Sequence, residues 1–134
     1  MFLLLAAIGL AFDVGRIYIA RNESQIFVDA AAMTAAAQLD GTAEGLTRAR
    51  AAVSRLPGRW NMAAESFHKT TVEFSKDGSR WEAEPRDPAL TQFARVSLSE
   101  DNLDITFLRA VGGPESFAIP AYAVAAARPV RLIE

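Results

Sequence analysis

Residues 1–39, MFLLLAAIGLAFDVGRIYIARNESQIFVDAAAMTAAAQL, decide how the rest of the chain is read. The first twelve carry no polar side chain, no proline interrupts the stretch, and after Gly15 no glycine occurs before Gly41. One continuous helix of roughly 40 residues is predicted, ending at Asp40-Gly41, where glycine can take the left-handed conformation that closes a helix. At about 1.5 Å per residue the uninterrupted apolar run is roughly 18 Å long, short of the ~30 Å hydrocarbon core of a bilayer. Continuing through Ala20 reaches that length but puts Asp13 and Arg16 at depth, each at about 2.5 to 3.5 kcal/mol near the centre. Their three-residue spacing puts them on one helical face, so mutual pairing would offset part of that cost. A cleaved secretory signal is disfavoured: no basic region precedes the run, and no small-residue cleavage site follows it. Burying each Leu, Ile or Phe of the segment is worth about 1.5 to 3 kcal/mol, so the segment is expected to leave water for a membrane or a filament core.

Projected at 100° per residue, the helix carries two apolar stripes. Ile17, Ala20, Ser24, Phe27, Val28, Ala31, Ala35 and Leu39 form one, and Ile19, Ile26, Ala30, Met33 and Ala37 form the other. A helix packed only on its own domain needs one apolar face. Two faces imply two partners, the chain's own head and a neighbouring helix, and the many alanines permit close approach. Phe2, Leu3, Leu4, Leu5, Ile8, Leu10, Phe12, Ile19, Ile26, Ala30 and Met33 are the expected subunit-packing residues. Asp13 and Arg16 are the expected buried charge pair that sets registry, since an unpaired buried charge is costly.

Beyond Gly41 the chain becomes polar and punctuated. Thr42 is placed to cap a second helix through about Arg55, stopped by Pro57-Gly58. Residues 70–74 and 79–84 read as a hairpin around Lys76-Asp77-Gly78. Residues 93–98 read as a third strand, residues 104–111 as a short helical or extended piece ended by Gly112-Gly113-Pro114, and residues 116–127 as a fourth strand with an edge or bulge at Pro120. The expected class is α+β: a long N-terminal helix (residues 1–40), then a head (residues 41–134) in which a short helix and a small antiparallel sheet pack together.

The balance of 14 basic and 16 acidic residues gives no field that would draw nucleic acid. With no cysteine there is no disulfide, thiolate metal site or catalytic thiol. The single histidine, His68, lacks partner ligands for zinc, and Ser66 has no hydrolase motif around it. The Glu100-Asp101-Asn102-Leu103-Asp104 segment lacks the glycine and terminal glutamate of a calcium loop and reads as a solvated turn. Asn22-Glu23-Ser24 matches a glycosylation tripeptide but falls within a helix. Trp60 and Trp81 read as core or contact residues. No enzymatic constellation, metal or cofactor is expected.

Residues 9–22, GLAFDVGRIYIARN, followed by Asp29-Ala30-Ala31-Ala32, resemble the N-terminal signature of TadE-like and TadG-like Flp pilus assembly proteins. In that family an apolar helix runs into an Asp-x-Gly-Arg-x-Tyr turn and then an Asp-Ala-Ala-Ala segment ahead of a β-rich extracytoplasmic region. The strand at 96–98, the Phe107-Leu108 piece closing on Gly112 and the terminal Ala121-Tyr122-Ala123-Val124-Ala125 are similar too. The resemblance implies a non-enzymatic pilin-like subunit of an extracellular filament, passing through the inner membrane before assembly and partnered by its own copies and by other pilus proteins. The alternatives are a membrane-anchored assembly factor or minor pilin, and more weakly an adhesin head. Family members usually carry basic and further apolar residues before the equivalent of Phe2, so a start at Met1 implies a processed, truncated or unusually short form. Type IV pilins place Glu at the fifth position of the mature helix; Leu5 stands here, which leaves Asp13 with Arg16 as the substitute.

Overall fold

The computed structural model describes residues 1–57, 69–99 and 102–127, with the side chains of Phe2 and Asn102 excepted. The chain is α+β. It opens with α1 (Phe2–Ala36) and α2 (Ala43–Ser54), followed by β1 (Thr70–Ser75) and β2 (Phe93–Leu98). The short β3 (Asn102–Asp104), α3 (Phe107–Ala110) and β4 (Ser116–Ala118) come next, and β5 (Ala121–Ala126) ends the described chain. Gly58, Trp60, Ser66, His68, Glu100 and Asp101, all singled out in the sequence, lie outside the described residues.

The long helix ends four residues before Asp40. From Ala36 the chain winds down through tighter turns, Gln38 N–H to Ala35 C=O (3.1 Å) and Leu39 N–H to Ala36 C=O (3.2 Å). Such i to i−3 bonds commonly close a helix end. The reversal itself falls at Gly41, with φ +81, a conformation costly for residues with a side chain. Thr42 then caps α2 as expected, its hydroxyl accepting from Gly45 N–H at 3.0 Å. That hydroxyl also donates to Asp40 Oδ1 at 2.6 Å, and Arg48 forms an ion pair with Oδ2 of the same carboxylate. These bonds, the Thr42 hydroxyl first and Arg48 next, hold the Asp40 carboxyl down at about 2.

The main sheet has the antiparallel order β1-β2-β5, with β2 central. Along β2 the burial alternates, Ala94, Val96 and Leu98 facing α1 and α2 while Phe93, Arg95 and Ser97 face outward. Val28, Ala31, Ala32, Ala35 and Ala36 of α1 meet Leu46, Ala49 and Val53 of α2 over Phe74, Val96 and Leu98 to form the core. Alanine spacing thus lets the helix lie close on the sheet. The stripe from Ile17 to Leu39 is the inward one, with Ala20, Ser24, Val28, Ala31 and Ala35 buried.

Three assignments differ from the sequence reading. Within the segment read as a solvated turn, Asn102–Asp104 form β3, paired with β4, and Leu103 is buried; the other two concern residues 79–84 and 116–127. The turn at Lys76-Asp77-Gly78 forms, with Asp77 accepting from Ser79 N–H at 2.9 Å, an arrangement that lowers the Asp77 carboxyl below its usual range. Beyond it, though, the chain touches β1 only through a single bridge, Phe74 to Glu82, and β1 instead pairs along its whole length with β2. Ala83 is drawn away, its carbonyl taken by Arg50 of α2. Trp81, which follows the turn, stacks under the Arg95 guanidinium at 4.6 Å on the outer face of the sheet, where Arg95 also pairs with Glu73 at 2.6 Å.

The apolar tract 116–127 is two strands rather than one. Pro120 supplies no N–H to a ladder, and at that point the chain passes from the two-stranded β3-β4 sheet to the main sheet. Leu103 of β3 and Ile119, just past β4, bury with Ala20 against Ile17, a second cluster further toward the N-terminus of α1.

Candidate functional site

The chain between β2 and β5 makes an excursion that runs along the N-terminal half of α1 and carries α3 to the level of residues 6–13. Asp13 is completely buried there. Its Oδ2 accepts from Phe107 N–H (2.8 Å) and Leu108 N–H (2.7 Å), and its Oδ1 from Thr106 N–H (3.3 Å). These are the orphan amides at the start of α3, which a residue at the helix's own N-cap would normally satisfy. Thr106 occupies that position but makes no side-chain cap bond. Its Oγ1 is engaged by Arg16 Nη1 at 3.3 Å, and the same nitrogen donates to the Asp104 carbonyl at 3.0 Å. A carboxylate from the first helix thus caps a helix some ninety positions away.

The ion pair that the 13/16 spacing suggested is not made. Each charge turns instead to the backbone of residues 104–108, Asp13 to amides and Arg16 to a carbonyl. The physical outcome is similar, since charge-assisted bonds to the backbone also satisfy a buried charge. Arg16 additionally lies 6.0 Å from the centre of the Phe12 ring.

Gly9 completes this clasp. It is buried, and a Cβ built on it would lie 2.8 Å from the Cβ of Phe107. Only a residue without a side chain lets Phe107 approach the helix this closely, and there its ring meets Phe12 edge to face at 5.6 Å. Next to it an apolar groove of about 250 Å³ is lined by Ala6, Ala7, Leu10, Phe107, Leu108 and Val111.

The remaining residues expected at a subunit contact divide by position. Leu3, Leu4, Leu5, Ile8, Leu10 and Phe12 are exposed, Leu4 and Ile8 by 68% and 66%. On the second stripe Ile26 and Met33 are exposed by 68% and 61%, Ala30 and Ala37 are also open, and Ile19 is half-buried. Phe2 lies within α1. Gly9 and Phe107-Leu108 fall in segments that carry the family resemblance, but the sequence assigned no contact role to them or to Thr106. A glycine inside an otherwise uninterrupted apolar helix was the available signal, because it costs about 1 kcal/mol relative to alanine unless something must approach closely.

The long helix, over Leu3–Ala36, is long enough to cross a membrane and contains an 18-residue window of mean hydropathy 1.8, of which 17% is buried. Elsewhere a polar depression of about 540 Å³ lies among residues 74–91. Among the described residues no three His, Asp or Glu side chains group together as a metal site would require.

A family model described as putative Flp pilus-assembly TadE/G-like matches residues 1–38. No curated protein and no solved structure matches the chain. The matched span covers all of α1, including the clasp residues Gly9, Asp13 and Arg16 and the exposed stripe from Ile19 to Met33. The match supports a role connected with pili and fits residence at a membrane or on a pilus. The N-terminal helix of this chain is thus similar to the TadE/G-like family of putative Flp pilus-assembly proteins.

Proposed function

We propose that the chain is a pilin-like structural subunit that is held in the membrane by the N-terminal part of α1 and then packs into a pilus filament through the same helix. One observation carries the reading. α1 has one face committed to its own sheet, at Val28, Ala31 and Ala35, while the opposite face at Ile26 and Met33 and the tip at Leu3, Leu4, Leu5 and Ile8 stay bare. An apolar helix exposed in this way needs cover from outside its own domain. A second copy supplies a matching helix, as in other helix-packed assemblies. The head contributes the outward surface, and the role involves no chemistry of its own.

Leu4→Asp and Ile8→Asp place a charge at exposed positions of the tip. They are expected to abolish recovery of the protein in sheared fibres while the isolated variant keeps its circular dichroism spectrum and melting transition. Normal fibres from either variant overturn the reading.

A second reading, a membrane-anchored pilus assembly factor, is favoured by the clasp. The head grips α1 down to the level of Ala6 and so stands close to whatever surface the tip enters. Fractionation separates the two: the subunit is recovered in sheared fibres, the anchored factor stays with membranes.

A further inference from the structure

We infer that α3 is a second lipid-contacting element, resting at the headgroup and acyl boundary of the bilayer beside the inserted helix. This rests on the reading that the tip of α1 occupies a membrane, which the structural subunit before assembly and the anchored factor share.

The inference follows from level and from surface chemistry. α3 lies against residues 6–13 of α1, with Phe107 over Gly9 and the α3 amides on Asp13. At about 1.5 Å per residue that stretch of helix is about 10 Å long. The interfacial zone on each side of a ~30 Å hydrocarbon core is about 5 to 7 Å deep, and helices lying in an interface sink their apolar face about 5 to 10 Å. If the residues before Asp13 enter the apolar phase, α3 reaches the interface with them, because it is fastened beside them.

Its exposed surface suits that place. Phe107 is 45% exposed and Val111 64%; four apart, they share one side of the turn. They continue the bare apolar surface of Leu10 and Phe12, 48% and 51% exposed, across the groove whose other wall is Ala6 and Ala7. One wall of that groove is the membrane helix itself, so the phase that surrounds the helix fills the groove. Arg109 lies between the two apolar residues in sequence, its exposed side chain 3.3 Å from Glu115, and supplies the polar rim. The opposite pole of the head, at the Lys76-Asp77-Gly78 turn, is exposed and polar. It lies at the far end of the main sheet, since Ser75 pairs with Phe93 while Leu98 leads toward α3.

The chain has no cysteine, so single-cysteine variants of the full chain report cleanly. Val111→Cys, Lys76→Cys and Leu4→Cys are each labelled with an environment-sensitive fluorophore and reconstituted into phosphatidylethanolamine and phosphatidylglycerol vesicles. The label at 111 is expected to shift to the blue and to be quenched by lipid spin-labelled near the headgroup. The label at 4 should respond to deep quencher and the label at 76 to neither. A water-like signal at 111 with a shifted signal at 4 overturns the inference and leaves the insertion reading standing. Water-like signals at both overturn the insertion reading and the inference with it. A shift at 111 that grows with protein density and ignores lipid quenchers identifies a second copy as the occupant, and also overturns it.

Discussion

Asp13 accepts from the amide of Phe107 at 2.8 Å and so caps a helix that it does not belong to. The bond ties the apolar end of α1 to a loop near the far end of the chain. It makes the position of α3 depend on one carboxylate.

Removing that carboxylate should therefore act on α3 first. In Asp13→Ala the amides of 106–108 lose their acceptor in a buried site, a loss of about 1 to 3 kcal/mol for an unsatisfied buried group. Asp13→Asn keeps one acceptor oxygen and should fall between alanine and the parent. Amide hydrogen exchange at residues 106–108 and denaturant midpoints check both, the expected order of stability being Asp, Asn, Ala.

Gly9→Ala places a methyl group against Phe107, whose nearest atom would be 2.8 Å from it. Overpacking of this kind costs about 1 to 3 kcal/mol. The ring has to lift from α1, so the Phe12 and Phe107 edge-to-face contact should be lost. Nuclear Overhauser effects between the two rings, absent in the variant, are the direct measurement.

Ile26→Glu and Met33→Glu alter exposed positions on the outer stripe. Surface substitutions of this kind usually move stability by no more than about 0.5 kcal/mol. Thermal melts of the variants should match the parent while sheared fibres are lost. Unchanged fibre yield from both would argue against the outer stripe as a contact.

Asp40 provides a pH signature. Its carboxyl is held at about 2, against 3.8 ordinarily, by the Thr42 hydroxyl and then by Arg48. A depressed folded value means that the contribution is present above 3.8 and fades as pH falls through about 2. The group is exposed, so the effect on stability is small and the titration itself is the better readout. Thr42→Ala should raise the Asp40 midpoint in carbon-detected magnetic resonance toward 3.8, and also remove the α2 cap, worth about 1 kcal/mol.

What could be read in advance was what neighbours in sequence decide. The Thr42 cap, the inward stripe of α1, the strand at 93–98 and the bend at Lys76-Asp77-Gly78 depend on residues a few positions apart. The misread features depend on distant partners. β1 chose β2 over the segment beyond its own turn, where Arg50 draws Ala83 away. The tract 116–127 looked uniform in hydropathy, and only the placement of two separate sheets shows that Pro120 divides it. Asp13 and Arg16 stood out as charges beside an apolar run, but periodicity could not locate acceptors and donors about ninety residues away.

The seam between α1 and β5 has a mechanical consequence. Ala20 meets Ile119 and Gln25 bonds the Tyr122 carbonyl at 3.2 Å, so helix and strand ascend side by side in the same direction. A tensile load drawn along α1 is taken up in shear across the whole seam, where many contacts must yield together. A load applied sideways at the tip instead pries at α3 alone, where Asp13 and Gly9 form the hinge pin.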